Sequence, residues 1–165
     1  VEVANIREGV EIIKAYGFNN CVHLKEVYIP DSVTDIKKAA FSACLSLKSV
    51  RMSNQLKSLG SGCFYRCHSL EKLKLPVGIT KIENYTFYMC YSLNLELPNT
   101  VKVIEEYAFA YCNSLRTLEI PSSVTMVCDG AFHNCPNLRQ VVLPRHLKQY
   151  IQDAFEGEIH WTWIE

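Results

Sequence analysis

The sequence lacks an excess of either charge. Across 165 residues, 17 Lys and Arg stand against 17 Asp and Glu. Nucleic-acid binding needs clustered, uncompensated cations facing phosphates, so no nucleic-acid partner is expected. The sequence also lacks any apolar run near the ~18 residues of a membrane span, and no such span is expected. Gly-x-Ser-x-Gly, a phosphate-binding glycine loop and His-Glu-x-x-His are all missing, which removes three common signatures of catalysis. The five His, at 23, 68, 133, 146 and 160, keep no fixed carboxylate or nucleophile partner. They read as surface histidines rather than general bases, and no enzyme is expected. Val1 opens the chain without Met or a signal segment, as a trimmed or mature fragment would. The hydrophobic content of 48% is enough for a core.

What the chain does have is a period. Cys recurs at 21, 44, 67, 90, 112 and 135, in steps of 23, 23, 23, 22 and 23. Three places before each stands Phe: Phe18, Phe41, Phe64, Phe87, Phe109 and Phe132, with Phe155 next in the series. Three places after each Cys stands Leu: Leu24, Leu47, Leu70, Leu93, Leu115 and Leu138. Aliphatic residues follow at alternate positions, as in Val27 and Ile29 or Leu118 and Ile120, and then Pro in most copies, with Ser53 an exception. The short step reflects one residue lost between Leu93 and Leu95.

Each unit reads as one strand and one turn. Val27-Tyr28-Ile29 alternates apolar and polar, which predicts a short strand that Pro30 ends by withholding a ladder donor. Ala40, Phe41 and Cys44 share one face of a single helical turn. Val33 and Ile36 point inward at a spacing suited to a tight turn or 3₁₀ segment. A unit this small cannot bury its own apolar face, and stacking the copies does so. At the ends, Ile6, Val10 and Ile13 fit the unit ahead of Phe18, and Trp161 and Ile164 fit the one after Phe155. The terminal Trp segment is either part of a longer array or an aromatic cap.

Residues 24–44, from Leu24-Lys25-Glu26-Val27 through Ile29-Pro30 to Ala40-Phe41-Ser42-Ala43-Cys44, resemble the BspA-like leucine-rich repeats. Residues 115–135 carry the match again, through Ile120-Pro121 and Ala131-Phe132-His133-Asn134-Cys135. The family glycine four before Phe survives only as Gly60; Lys37, Glu83, Glu105 and Cys128 replace it elsewhere. The resemblance implies an α/β solenoid, a right-handed superhelix of about seven 23-residue coils. Short parallel strands would line the concave face, and short helical or 3₁₀ turns the convex one. It implies a single domain over 1–165: a partial repeat at 1–23, regular repeats over 24–158 and a degenerate repeat or cap at 159–165. It further implies a surface or secreted protein, a monomer, that adheres to host, matrix or partner-cell proteins, with no cofactor. A stalk without a ligand of its own, or an intracellular scaffold, is the alternative.

The eight Cys fit the repeat better than disulfides or metal. Six occupy one inward ladder position and Cys63 replaces a small core residue, so buried, reduced thiols are expected. Cys128 falls outside the ladder and is the expected accessible thiol. No Cys-x-x-Cys spacing is present, and no metal site is expected.

Two surfaces are candidates for a protein ligand. On the strands, Glu26 and Tyr28, Ser49 and Arg51, Lys72 and Lys74, Asn94 and Glu96, Thr117 and Glu119, and Gln140 and Val142 should face the concave side. The binding candidates among them are Glu26, Tyr28, Arg51, Lys72, Lys74, Glu96 and Glu119, with a basic centre at Arg51, Lys72 and Lys74. On the convex side, Tyr65, Tyr88, Tyr91 and Tyr111 follow the Phe or Cys of middle coils, with Tyr85 and Tyr107 two before Phe. These would either gather as an interface or cover the edges of neighbouring coils. Asn84-Tyr85-Thr86 has the form of a glycosylation sequon.

Overall fold

A computed structural model describes all 165 residues. Its strands in chain order are β1 (Val3–Asn5), β2 (Ile12–Ile13), β3 (Glu26–Tyr28), β4 (Asp35–Ile36), β5 (Ser49–Arg51), β6 (Ser58–Leu59) and β7 (Lys72–Leu73). They continue as β8 (Lys81–Ile82), β9 (Val103–Ile104), β10 (Thr117–Glu119), β11 (Met126–Val127), β12 (Gln140–Pro144) and β13 (His160–Ile164). A 3₁₀ helix (Arg145–Tyr150) and one turn of helix, α1 (Ile151–Ala154), lie between the last two.

All pairings are parallel, and all but the last join equivalent residues of successive copies: Val27 is opposite Val50, Val50 opposite Leu73 and Leu118 opposite Val141. At the C-terminus Val141 is opposite Trp161, only twenty residues on, and Pro144 opposite Ile164. The expected fit of Trp161 and Ile164 to the repeat is corrected: the last unit is three residues short after Phe155, so Trp161 takes the aliphatic strand position expected for Ile164. The concave strands form two ribbons, β1-β3-β5-β7 and β10-β12-β13. The break lies at the shortened copy, where residues 92–98 form no strand. Alternation survives there nonetheless: Leu95 is buried while Asn94 and Glu96 are exposed.

A second set of ladders, β2-β4-β6 and β8-β9-β11, runs where the Val-x-x-Ile spacing predicts a tight turn or 3₁₀ segment. That expectation is corrected. Only Val33 belongs to a turn, its amide bonded to Pro30 O at 3.0 Å; Ile36 lies on β4, paired with Ile13 and Leu59. Two-residue strands leave no room for alternation to show in one copy, so the period-2 signal is missing.

The convex segments are tight turns rather than regular helix. Around Phe64, successive amides alternate between two jobs. Cys63, Tyr65 and Cys67 bond back three residues, to Gly60, Gly62 and Phe64 (3.1, 3.0 and 3.1 Å). Gly62, Phe64 and Arg66 bond across to Asn84, Thr86 and Tyr88 of the next coil (3.0, 2.9 and 2.7 Å). A helix would turn all these amides along the chain. Left-handed residues two before and two after each Phe prevent that: Ala39 and Ala43, Gly62 and Arg66, Tyr85 and Met89, Tyr107 and Tyr111 all have φ between 53° and 61°. A non-glycine residue there costs about 1–2 kcal/mol, offset by complete use of the amides on this face.

One continuous core of 44 buried residues runs the length of the stack. Its axis is a column of seven phenylalanines, from Phe18 to Phe155, with ring centroids 4.6–5.8 Å apart and planes within 17° of each other. Beside it, each ladder thiol after Cys21 donates to the carbonyl of the Phe one coil back: Cys44 to Phe18, Cys67 to Phe41, Cys90 to Phe64, Cys112 to Phe87 and Cys135 to Phe109, at 3.1–3.3 Å. Burial holds these thiols in the neutral, donating form, pushing Cys44 up to about 12 and Cys135 up to about 11. Cys63 is buried as expected. Cys21 departs from expectation: it is exposed, because no coil packs against its outer side. It, rather than the half-buried Cys128, is the most accessible thiol. Ser53 stands in for Pro by donating its hydroxyl to Val33 O at 2.6 Å and accepting the Gln55 amide at 3.0 Å.

Candidate interaction surfaces

The concave strands present the expected row. Arg51, Lys72, Lys74, Glu96, Glu119 and Tyr28 are exposed, and Glu26 is half-buried. Tyr28 and Arg51 are register partners on β3 and β5, as are Ser49 and Lys72 on β5 and β7. Tyr28, Ser49, Arg51, Lys72 and Lys74 line one shallow hollow of about 400 Å³, floored by Val27, Val50 and Leu73. The Tyr28 hydroxyl donates to Glu26 Oε2 at 3.0 Å, and that hydrogen bond to a carboxylate raises the phenol's pKa. Arg51, Lys72 and Lys74 form no ion pair; the ion pairs of the chain involve Lys25, Lys37, Lys81, His133 and Arg145 instead. Glu96 lies in the sheet break and Glu119 beyond it on β10, and neither lines the hollow.

The convex side gathers three of the four candidate tyrosines, Tyr65, Tyr88 and Tyr111, together with Tyr85 and Tyr107. Tyr65 stacks on Tyr88 at 5.1 Å, and Tyr88 meets Tyr111 edge-on at 5.3 Å. Tyr85 stacks on Tyr107 at 5.5 Å and touches Tyr88 edge-on at 5.5 Å. His133, which sequence reasoning passed over, meets both Tyr111 and Tyr107 edge-on. Tyr111 belongs here because of its neighbour. The position after Phe holds Tyr65, Tyr88 and His133 in three coils but Ala110 in the fourth. Tyr111, one place on and left-handed at φ 61°, fills the gap. Tyr107 fits because the next coil has Gly130, where a Cβ would come within 2.6 Å of its ring. Tyr91 stands apart, stacked on His68 at 4.6 Å. Burial and the neighbouring phenols raise the pKa of Tyr88. All but Tyr85 are half-buried, so the rings largely cover one another.

Other polar features are explained locally. Lys81 Nζ lies 2.7 Å from Glu105 and 3.4 Å from Glu83, at two of the positions where glycine is replaced. Burial, followed by the Glu105 carboxylate, raises Glu83. Thr86 of the sequon is fully buried, donating its hydroxyl to Glu83 O at 2.7 Å. No cluster of three or more His, Cys, Asp or Glu has metal-site geometry. No helix is long and apolar enough to cross a membrane.

Coils of one strand-turn unit, a Leu and Phe core, and side chains displayed from a parallel inner sheet define a leucine-rich-repeat solenoid. The BspA type leucine rich repeat family model matches six copies, over residues 1–94 and 82–164, and the chain belongs to that family. No curated protein matches the chain. Among solved structures it is similar to a leucine-rich repeat protein of Bacteroides ovatus, at 27% identity and TM-score 0.70, over 100% of this chain and 54% of that one. A leucine rich cell surface protein of Faecalibacterium prausnitzii is similar at 30% identity and TM-score 0.65, over 87% of this chain and 48% of that one. A leucine-rich repeat protein of Eubacterium ventriosum gives 26% and 0.69, over 81% and 42%. The chain therefore spans about half the length of these structures.

Proposed function

We propose that this chain is a non-catalytic recognition module of a cell-surface protein, holding a protein partner against its concave face and serving adhesion. The observation that carries this reading is the hollow bounded by Tyr28, Arg51, Lys72 and Lys74, whose three cations have no carboxylate within ion-pair distance. Solenoids use such extended inner faces for partners. A surface location is supported by the family and by the Faecalibacterium relative described as a cell surface protein. A stalk without a ligand would show equivalent residues on every coil, whereas here the concave cations are confined to two adjacent copies.

The test is binding of immobilised extracellular-matrix and cell-surface proteins to the chain and to an Arg51→Glu, Lys72→Glu, Lys74→Glu triple variant with an unchanged melting curve. The reading expects at least one protein to bind the parent and to lose the variant. Binding that ignores the triple reversal, or no binding across the panel, overturns it.

A further inference from the structure

The cations are arranged with a spacing and with limits. Lys72 on β7 and Lys74 just past its end are two residues apart, about 6.6–6.8 Å in extended chain. Arg51 projects from the neighbouring coil, about 4.7–4.9 Å to the side. An extended polypeptide has the same two-residue spacing on its own exposed face. Arg51 suits a two-pronged grip on a carboxylate, and the lysines act as point charges. The floor between them is apolar, at Val50 and Leu73, with the Ser49 hydroxyl at its edge.

The limits come from carboxylates in the same row. Glu26 borders the hollow on one side, in register with Ser49 and held by Tyr28. Glu96 and Glu119 are the next exposed charged residues in the row on the other side. The positive window is therefore two coils wide, about 10 Å, and a longer anionic chain crossing the sheet meets like charge at both edges.

We infer that the hollow takes a short acidic stretch of a protein partner, extended, with carboxylates at alternate positions, and that its Glu borders turn away long polyanions. This rests on the concave-face reading above and adds the chemistry of what is held there.

The probe is a short fluorescent peptide with Asp at three alternate positions, followed by polarisation at rising salt. A peptide with Lys at those positions and unlabelled heparin serve as comparisons. The acidic peptide alone binds the parent chain, salt weakens it, and the Arg51→Glu, Lys72→Glu, Lys74→Glu variant loses affinity by ~10-fold or more. Heparin fails to compete with the parent and begins to compete in a Glu96→Lys, Glu119→Lys variant. Equal binding of the Asp and Lys peptides, or competition by heparin in the parent, overturns the inference. If matrix-protein binding needs the three cations while the acidic peptide does not bind, the inference falls and the concave reading stands. If the peptide binds as described while no panel protein does, the chemistry stands and adhesion falls. Circular-dichroism melts of both variants confirm that fold is not the variable.

Discussion

Replacing Phe64 with Ala tests the central physical idea, that each copy is held by its neighbours. The Phe64 ring is fully buried between Phe41 at 5.5 Å and Phe87 at 5.8 Å, nearly parallel to both. The space it leaves cannot close by sliding the coils together. Their pitch is set by backbone bonds on both sides, Phe41 to Cys63 and Phe64 to Thr86, each 2.9 Å. The variant therefore loses both the transfer free energy of the ring and the contacts around a retained cavity, about 3–5 kcal/mol. Domains are stable by only ~5–15 kcal/mol. At a urea slope near ~2 kcal/mol/M the midpoint should fall by about 2 M. Phe18, half-buried with one stacked neighbour, should lose about 1–2 kcal/mol on the same change. Urea titrations followed by far-ultraviolet circular dichroism and by fluorescence of Trp161 and Trp163 make the comparison. In the parent the two signals should coincide; in Phe64→Ala they should separate, because the stack is interrupted between the bulk signal and the terminal reporter. Equal losses at Phe18 and Phe64, or less than ~1 kcal/mol at Phe64, would refute the reasoning.

Three further outcomes are expected. Native thiol titration near pH 8 should modify Cys21 quickly and Cys128 slowly, and spare Cys44, Cys63, Cys67, Cys90, Cys112 and Cys135, with all eight reacting in denaturant; rapid native reaction of a ladder thiol contradicts the packing. Asp35, hydrogen-bonded by Ser58, Thr34 and Lys37, is held at about 2, below its ordinary value. Its stabilisation is thus present above about pH 4 and lost as pH falls toward 2, so Asp35→Asn should flatten that limb of stability against pH, and an unchanged acid limb counts against it. Gly130→Ala should destabilise by about 1–2 kcal/mol, since φ is +64° there and the new Cβ meets Tyr107; Gly130→Ala with Tyr107→Ala should cost less than the sum of the two single changes in denaturant melts.

Sequence reading reached what depends on equivalence between copies. Phe41, Cys44, Leu47 and Val50 recur, and the structure buries each against its equivalents. It missed what depends on a departure from equivalence. Cys21 obeys the motif yet is exposed, because burial of a ladder residue is supplied by the adjoining coil and not by the residue itself. Tyr111 joins the aromatic cluster through the absence of a ring at Ala110, and Tyr107 through the absence of a side chain at Gly130. Residues such as Ala43, Met89 and Tyr111 carry no helix- or strand-breaking signature, so their left-handed conformation was hidden, along with the alternating amide pattern it creates. Of the binding candidates, the Arg51-Lys72-Lys74 grouping was legible because strand alternation and the 23-residue stacking of equivalent positions place it; the Lys81, Glu83 and Glu105 cluster sits at positions where the repeat carries no fixed residue type, so the period gave no sign of it.

The shortened copy shows which side of the molecule keeps count. One residue is missing before Leu95, and the inner sheet splits there into two ribbons, yet Phe87 and Phe109 still stack at 5.2 Å and the turn amides still cross from coil to coil. The outer turns act as the spine, and the inner strands hang from it as separable panels. A lineage, or an engineer, can therefore trim, lengthen or exchange residues on one inner panel and leave its neighbour's partner face untouched, whereas a one-residue slip in the outer turns would throw every later copy out of step.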